Sequence, residues 1–351
     1  MWRKKYYEDP RRLALAAVAK ETETTTPTIA SSLPHLDPAK SEKLDLRTLP
    51  PLDASRCPRF KLTNKPGLAY GTTTRVFNQD SFDAALAMSS STLGISPGLA
   101  KPASTVEAEI LEHLKSTASS PGNLDPTTAA RVAVLNMASE RSPGGGWLKG
   151  ASAQEEALCF RSTLAASLHR TLYPIQQRAA LYTRDVVVFR TSMGDGHKLM
   201  VPETPASNLP VFSVLSVAGI RRPDVKPLDE EASGSTTQAS GSSGHKGKAA
   251  KGPFVFADPA ARELTKDKMR LCLRMAGAKG HTMLLLGAIG CGAFRNPPEE
   301  VAKCWQEVLG EDEFAGGWFK EIWFAVYDRR NEGNFEIFSE AFDGKVIGGR
   351  A

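Results

Sequence analysis

Short, uninterrupted apolar runs alternate along this chain with stretches of helical pattern, and that alternation is its tightest constraint on fold. The runs fall at residues 73–77, 131–135, 185–189, 211–217, 282–286 and 321–326. Most are continuously apolar rather than alternating, as in strands covered on both faces. Helical patterns lie among them at 80–88, 105–116, 154–169, 259–276 and 298–309, with a further helix at 10–20. Asp80 and Ser81 mark one start, and Pro297-Pro298-Glu299-Glu300 marks another. Strands interleaved with helices predict an α/β chain, a three-layer α/β/α arrangement around a largely buried sheet. Apolar segments on either side of Met193-Gly194-Asp195-Gly196 predict a hairpin, so the sheet is expected to be mixed.

Composition narrows the class. The 351 residues allow one large domain with additions, or two. A net charge of +5 spread over that length is too mild for a dedicated nucleic-acid binder. Five cysteines without a CxxC pair argue against a disulfide framework or a zinc ribbon, so a reducing compartment is expected. The longest apolar stretch, 283–294, is too short to span a bilayer and is broken by glycines. No signal-peptide core follows the basic N-terminus, and an intracellular location, nuclear or cytoplasmic, is expected. Residues 228–252 hold almost no large apolar side chain and read as a disordered insertion. Residues 21–71, rich in Thr, Pro and Ser, read as an irregular arm.

Two glycine loops carry the chemistry. In the first, a buried strand ends at Asn136, Gly144-Gly145-Gly146 follows, and a helix opens at Gln154-Glu155-Glu156. Consecutive glycines after a strand allow close backbone approach or positive φ. Their amides, with a helix N-terminus, can receive an anion. The loop is not a Walker A loop, because Lys149 is followed by Gly150-Ala151. A tight turn is the plain alternative for the glycines, and simple capping is the plain alternative for the glutamates. The spacing Asn–x7–GGG–x7–QEE is far more specific than its parts. In the second loop a buried strand runs into Gly287, Gly290, Cys291, Gly292, Ala293 and Phe294. Two such units can cradle the two phosphates of one diphosphate, with Phe294 either a wall for a sugar or base or a loop anchor. Cys291 lacks a neighbouring His and reads as a small packed residue rather than a nucleophile.

These residues resemble the GGG–x(6–8)–QEE signature of poly(ADP-ribose) glycohydrolases, in the microbial type found in bacteria and fungi. Looser matches run from about Asp9 to Phe342, among them Arg11-Arg12, Glu21-Thr22, residues 76–81, 185–190, 216–223 and 287–298. The resemblance implies a macrodomain-like mixed sheet, with ADP-ribose across its crest. Residues 72–345 are then the catalytic domain, residues 1–71 an N-terminal helix and arm, and 228–252 an insertion. It implies hydrolysis of the ribose–ribose O-glycosidic bond of poly(ADP-ribose), releasing ADP-ribose with neither metal nor cofactor. The implied partners are poly(ADP-ribose) and ADP-ribosylated proteins; no membrane, specific nucleic acid or second subunit is expected. By this resemblance Glu156 is the acid/base. Glu155 and Asn136 hold the ribose hydroxyls, and Gln154 belongs to the substrate-binding set. Gly144–Gly146 and Gly290–Ala293 line the diphosphate, Phe294 orients the distal ribose, and Asp80 stands where an acid reads the adenine amino group.

Glycosidases normally flank the sugar with two carboxylates about 5–10 Å apart. Consecutive glutamates leave a helix about 100° apart and cannot act as such a pair. A single-carboxyl mechanism through Glu156 is therefore expected. The helix N-terminus lowers its pKa, while burial, Glu155 and the substrate's diphosphate raise it. The rival readings are an ADP-ribose reader, a hydrolase of mono-ADP-ribosylated protein, and a dinucleotide enzyme. The last lacks the third glycine of GxGxxG at Gly290-Cys291-Gly292.

Overall fold

The computed structural model describes residues 9–63, 66–94, 101–228 and 253–351. Except for Leu228, the insertion expected at 228–252 lies outside the described residues. Eight strands form one sheet: β1 (Glu42–Asp45), β2 (Tyr70–Phe77), β3 (Ala133–Met137), β4 (Ala179–Val187), β5 (Val211–Val217), β8 (Met283–Leu286), β9 (Glu321–Ala325) and β10 (Val346–Arg350). Their order is β1-β4-β5-β3-β8-β9-β2-β10. The five central strands, β5 to β2, are mutually parallel. Antiparallel β4 and β1 extend one edge and antiparallel β10 closes the other, so the sheet is mixed as expected. A separate antiparallel ribbon pairs β6 (Val225–Pro227) with β7 (Phe254–Phe256).

Successive residues of the central strands enter different cores, which explains their unbroken apolar runs. Ala133, Leu135, Leu284 and Leu286 join one cluster with Met269 and Leu273 of α6 (Pro259–Ala278), Trp305 of α7 (Pro298–Leu309) and Phe338 of α8 (Asn334–Phe342). Val134, Met283 and Leu285 face the other way. They pack with Phe82 and Met88 of α2 (Ser81–Thr92), Ile110 of α3 (Ala103–Thr117) and Leu158 of α4 (Gln154–Arg161). Three layers result.

Several expectations are corrected. Residues 21–71 are not an irregular arm: the first helix, α1, runs from Pro10 to Ser32, and Glu42–Asp45 adds the edge strand β1. The Thr and Ser side chains that read as loop instead bond within the helix. Thr24 and Thr25 donate to Glu21 O, Thr26 to Thr22 O, and Ser32 to Thr28 O. Ile29 and Leu33 are buried against Phe189 and Leu209, so tertiary packing outweighs weak propensity and an internal Pro27. The helix expected over 154–169 breaks at Ser162-Thr163 into α4 and a short α5 (Leu164–Ser167). There the chain pairs with the end of β4: Thr163 N donates to Val187 O, and Val187 N to Thr163 Oγ1. The strand expected at 185–189 starts instead at Ala179. The hairpin after β4 is short, bridged at Arg190 and Leu199. Among the described residues no helix is long and apolar enough to cross a membrane.

Candidate active site

The five parallel strands end on one edge of the sheet, and both glycine loops leave that edge from the neighbouring strands β3 and β8. Such an edge is where open α/β sheets hold ligands. Met137 touches Gly287 there: a Cβ on Gly287 would stand 3.5 Å from Met137 Cε.

The first loop is built around two carboxylates. Glu156 is buried at the start of α4, with Oε1 accepting Gly146 N at 2.9 Å and Oε2 accepting Ala153 N at 3.1 Å. The second bond satisfies the backbone at the helix N-cap, so the capping reading of this residue holds as well. Glu155 turns inward, where its Oε2 accepts Ser139 N at 2.8 Å and Asn136 Nδ2 lies 3.4 Å from Oε1. Burial pushes the Glu155 carboxyl up to about 8; the Ser139 amide opposes the rise and the charge of Glu156 adds to it. The two side chains leave the helix in different directions yet converge on one glycine. A Cβ on Gly145 would stand 2.5 Å from Glu156 Oε1 and 3.0 Å from Glu155 Oε2. Gly145 also holds φ +62°, so both space and backbone require glycine there.

Asn136, wholly buried at the end of β3, donates to Ser216 Oγ of β5 at 3.0 Å. Its Oδ1 has no partner among the described residues. Gln154 is committed within the protein. Its Oε1 accepts Met137 N at 2.9 Å, and its Nε2 donates to Leu135 O and Ser81 Oγ. It clamps the end of β3 to the helix that carries the glutamates.

The second loop is locked to the turn after β5. A Cβ on Gly219 would stand 3.2 Å from the Gly290 Cα, and Asn296 Nδ2 donates to Ile220 O and Gly290 O. Gly292 and Ala293 are exposed. Phe294 is half-buried beneath the Arg221 guanidinium, 5.8 Å from its ring centre, with Arg222 N bonded to Phe294 O. Cys291 is half-buried, and burial raises its thiol, which leaves it protonated rather than nucleophilic.

Asp80 lies on the same edge, just beyond β2. Its Oδ1 caps α2 through Phe82 N and also receives Arg161 from the last turn of α4. Sequence reasoning did not single out Ser139, Arg161 or Tyr327. Arg161 is buried and bridges Asp80 and Asp83, tying the start of α2 to the end of α4. Tyr327 is half exposed just beyond β9, where Val326 N bonds to Phe77 O. A basic residue in a helix's last turn and a large aromatic after a buried strand were the available signals.

Comparisons with known proteins agree with this architecture. The poly(ADP-ribose) glycohydrolase of Thermomonospora curvata superposes with a TM-score of 0.55 at 22% identity, over 93% of this chain and 99% of that one. The same enzyme bound to the inhibitor ADP-HPD gives 0.56 at 21% identity, with the same coverage. The poly(ADP-ribose) glycohydrolase of Deinococcus radiodurans in complex with ADP-ribose gives 0.51 at 22%, over 86% and 93%. These likenesses establish the fold. No curated protein matches the sequence. The family described as "Microbial-type PARG, catalytic domain" matches residues 14–191, just over half of the chain. By that match the chain belongs to the microbial-type poly(ADP-ribose) glycohydrolase family and is a glycosidase of poly(ADP-ribose).

Proposed function

We propose that the reaction runs at the cradle between the two glycine loops, with Glu156 as the only proton-transfer group. The observation that carries this reading is the convergence of Glu156 and Glu155 on Gly145, at the sheet edge where the loops emerge. Both carboxylates approach the sugar from one side, which suits a single acid/base rather than an acid–nucleophile pair. Glu156 gives its proton to the departing 2′-oxygen of the next adenosine as the C1″–O bond breaks. The resulting oxocarbenium-like ribose takes the oxygen of a water, and Glu156 recovers a proton from that water. One water is consumed, one ADP-ribose leaves, and the polymer is one unit shorter.

Glu155, with its pKa near 8, is protonated at neutral pH. In that form it donates a hydrogen bond to a ribose hydroxyl without adding negative charge beside the diphosphate. Asn136 Oδ1, without a partner of its own, accepts from a second hydroxyl. The backbones of Gly144 to Gly146 and of Gly290 to Ala293 line the diphosphate by close approach, since the amides of Gly145, Gly146 and Cys291 are held by Ser142 O, Glu156 Oε1 and Ala288 O. Phe294 packs on the distal ribose, and the Asp80 carboxylate accepts from the adenine amino group. Gln154 acts through β3 rather than on the substrate.

The test is Glu156→Gln. Turnover of poly(ADP-ribose) is expected to fall about 10²- to 10⁴-fold, with ADP-ribose affinity within a few-fold of wild type. Undiminished release of ADP-ribose by this variant would remove Glu156 from the chemistry.

A further inference from the structure

The two backbone donors to Glu156 are the first and last residues of one loop, Gly146 to Ala153. That loop is backed by the first turn of α1. Gly150, at φ +68°, lies so close to the Arg12 backbone that a Cβ would stand 2.0 Å from Arg12 O, and Arg12 Nη2 donates to Lys149 O at 3.1 Å. Helix and loop therefore present one fixed surface. Leu148 and Leu13 are exposed on it at 53% and 58%, two of the few large apolar side chains left in water among the described residues. Lys149 follows Leu148 in the loop, and Arg11 shares the first turn of α1 with Leu13 but leaves the helix on its other side; both cations are exposed and form no ion pair among the described residues. Among the described residues, Asp9 opens this helix and caps it through Arg11 N. On the other side of the glycines, Arg141 is already paired with Glu140 at 3.2 Å.

The released ADP-ribose unit ends at Glu156, and the rest of the polymer begins at the leaving oxygen there. Its first group is an adenosine and its next is a doubly charged diphosphate. We propose that Leu148 and Leu13 receive that leaving adenosine, and that Lys149 and Arg11 receive its diphosphate. The rim is thus a second subsite that favours polymer over single-unit substrates. Apolar side chains suit a base face, and unpaired cations suit a phosphate track. This inference rests on the reading of Glu156 as the acid at the scissile bond.

The experiment compares two substrates with the same scissile linkage: poly(ADP-ribose), and an ADP-ribose joined at C1″ to the 2′-oxygen of a bare ribose. An Arg11→Glu, Lys149→Glu double variant should lose about tenfold or more in kcat/KM on the polymer at about 50 mM salt. On the ribose-linked substrate it should stay within about twofold of wild type, which also shows that it is folded. Wild-type kcat/KM on the polymer should fall as salt rises to about 200 mM, more steeply than that of the variant. Leu13→Ser, Leu148→Ser should raise KM on the polymer alone. If charge reversal perturbs folding, the milder Arg11→Gln, Lys149→Gln pair should show the same split with smaller amplitude. Unchanged polymer kinetics, or equal losses on both substrates in the milder pair, would overturn the subsite. Glu156→Gln separates the two readings. If it still turns over both substrates the site itself is misplaced, whereas a dead Glu156→Gln beside unaffected rim variants refutes only the second subsite.

Discussion

Glu155 and Glu156 share a helix turn and a glycine, yet their partners give them different work. Glu156 spends its two oxygens on backbone amides that open toward the loop, while Glu155 lies deeper against Ser139 and Asn136. The deeper position makes Glu155 a sensor of pH through stability. Its folded-state pKa of about 8 stands above the ordinary value of 4.5, so between those values the folded protein binds a proton that the unfolded chain has released. Its stabilising contribution is full below about 4.5 and is lost as pH rises toward 8, with a limiting slope of about 1.4 kcal/mol per pH unit for one proton. Glu155→Gln keeps an acceptor for Ser139 but does not titrate. Urea denaturation at pH 5, 6.5 and 8 should therefore show wild type losing ground to this variant as pH rises. Parallel pH profiles would show that Glu155 ionises normally.

At the scale of elements, the two loops separate what glycine does for the fold from what it does for the ligand. Gly145→Ala places a methyl against Glu156 and forces an unfavourable φ. It should cost about 1–2 kcal/mol in stability and at least about 10²-fold in turnover. Gly292 has nothing within 4 Å of its would-be Cβ. Gly292→Ala should leave stability within about 0.5 kcal/mol and still weaken ADP-ribose binding several-fold, because only a ligand would meet the new methyl. Calorimetric titration with ADP-ribose decides this, and unchanged affinity would take Gly292 off the diphosphate. Both loops were legible in the sequence because continuous apolar runs lead into them and the Asn136–Gly144–Gln154 spacing is narrow. The committed role of Gln154 was not legible, since nothing local shows that its amide spans Leu135, Met137 and Ser81. Nor was the helix beyond Lys20. Thr22 within it is held by Phe160 and Arg190, and both lie more than 130 residues away in the chain. The β10 strand hides for a related reason: glycine is a poor strand former, yet Gly348 and Gly349 let the backbone pass against Ala315 and Leu68.

Over the whole molecule, a few long-range ties hold the parts that bear the site in one body. Thr22 donates to Phe160 O at the end of the helix carrying Glu156 and accepts from Arg190, whose guanidinium also reaches Glu21 and His197 O. Arg190 is 2% exposed, so loss of these partners would leave a buried charge uncompensated. The N-terminal helix thus supports α4 from behind, while its first turn supports the loop in front. Residues 229–252 stand in contrast. The chain on either side of them is already paired: Leu228 N donates to Pro253 O at 2.9 Å, and Pro227 lies opposite Phe254 in the β6–β7 ribbon. These ends are one hairpin turn apart, and neither strand belongs to the eight-stranded sheet. Replacing 229–252 with Asn-Gly should close the ribbon as a two-residue hairpin, since that pair accepts the positive φ such turns need. The shortened protein is expected to keep its melting temperature within about 2 °C, because every core residue among the described residues is retained and a shorter loop lowers closure entropy only slightly. Its kcat/KM on poly(ADP-ribose) should match wild type, whereas a selective loss on the polymer with melting unchanged would show that 229–252 acts on the substrate.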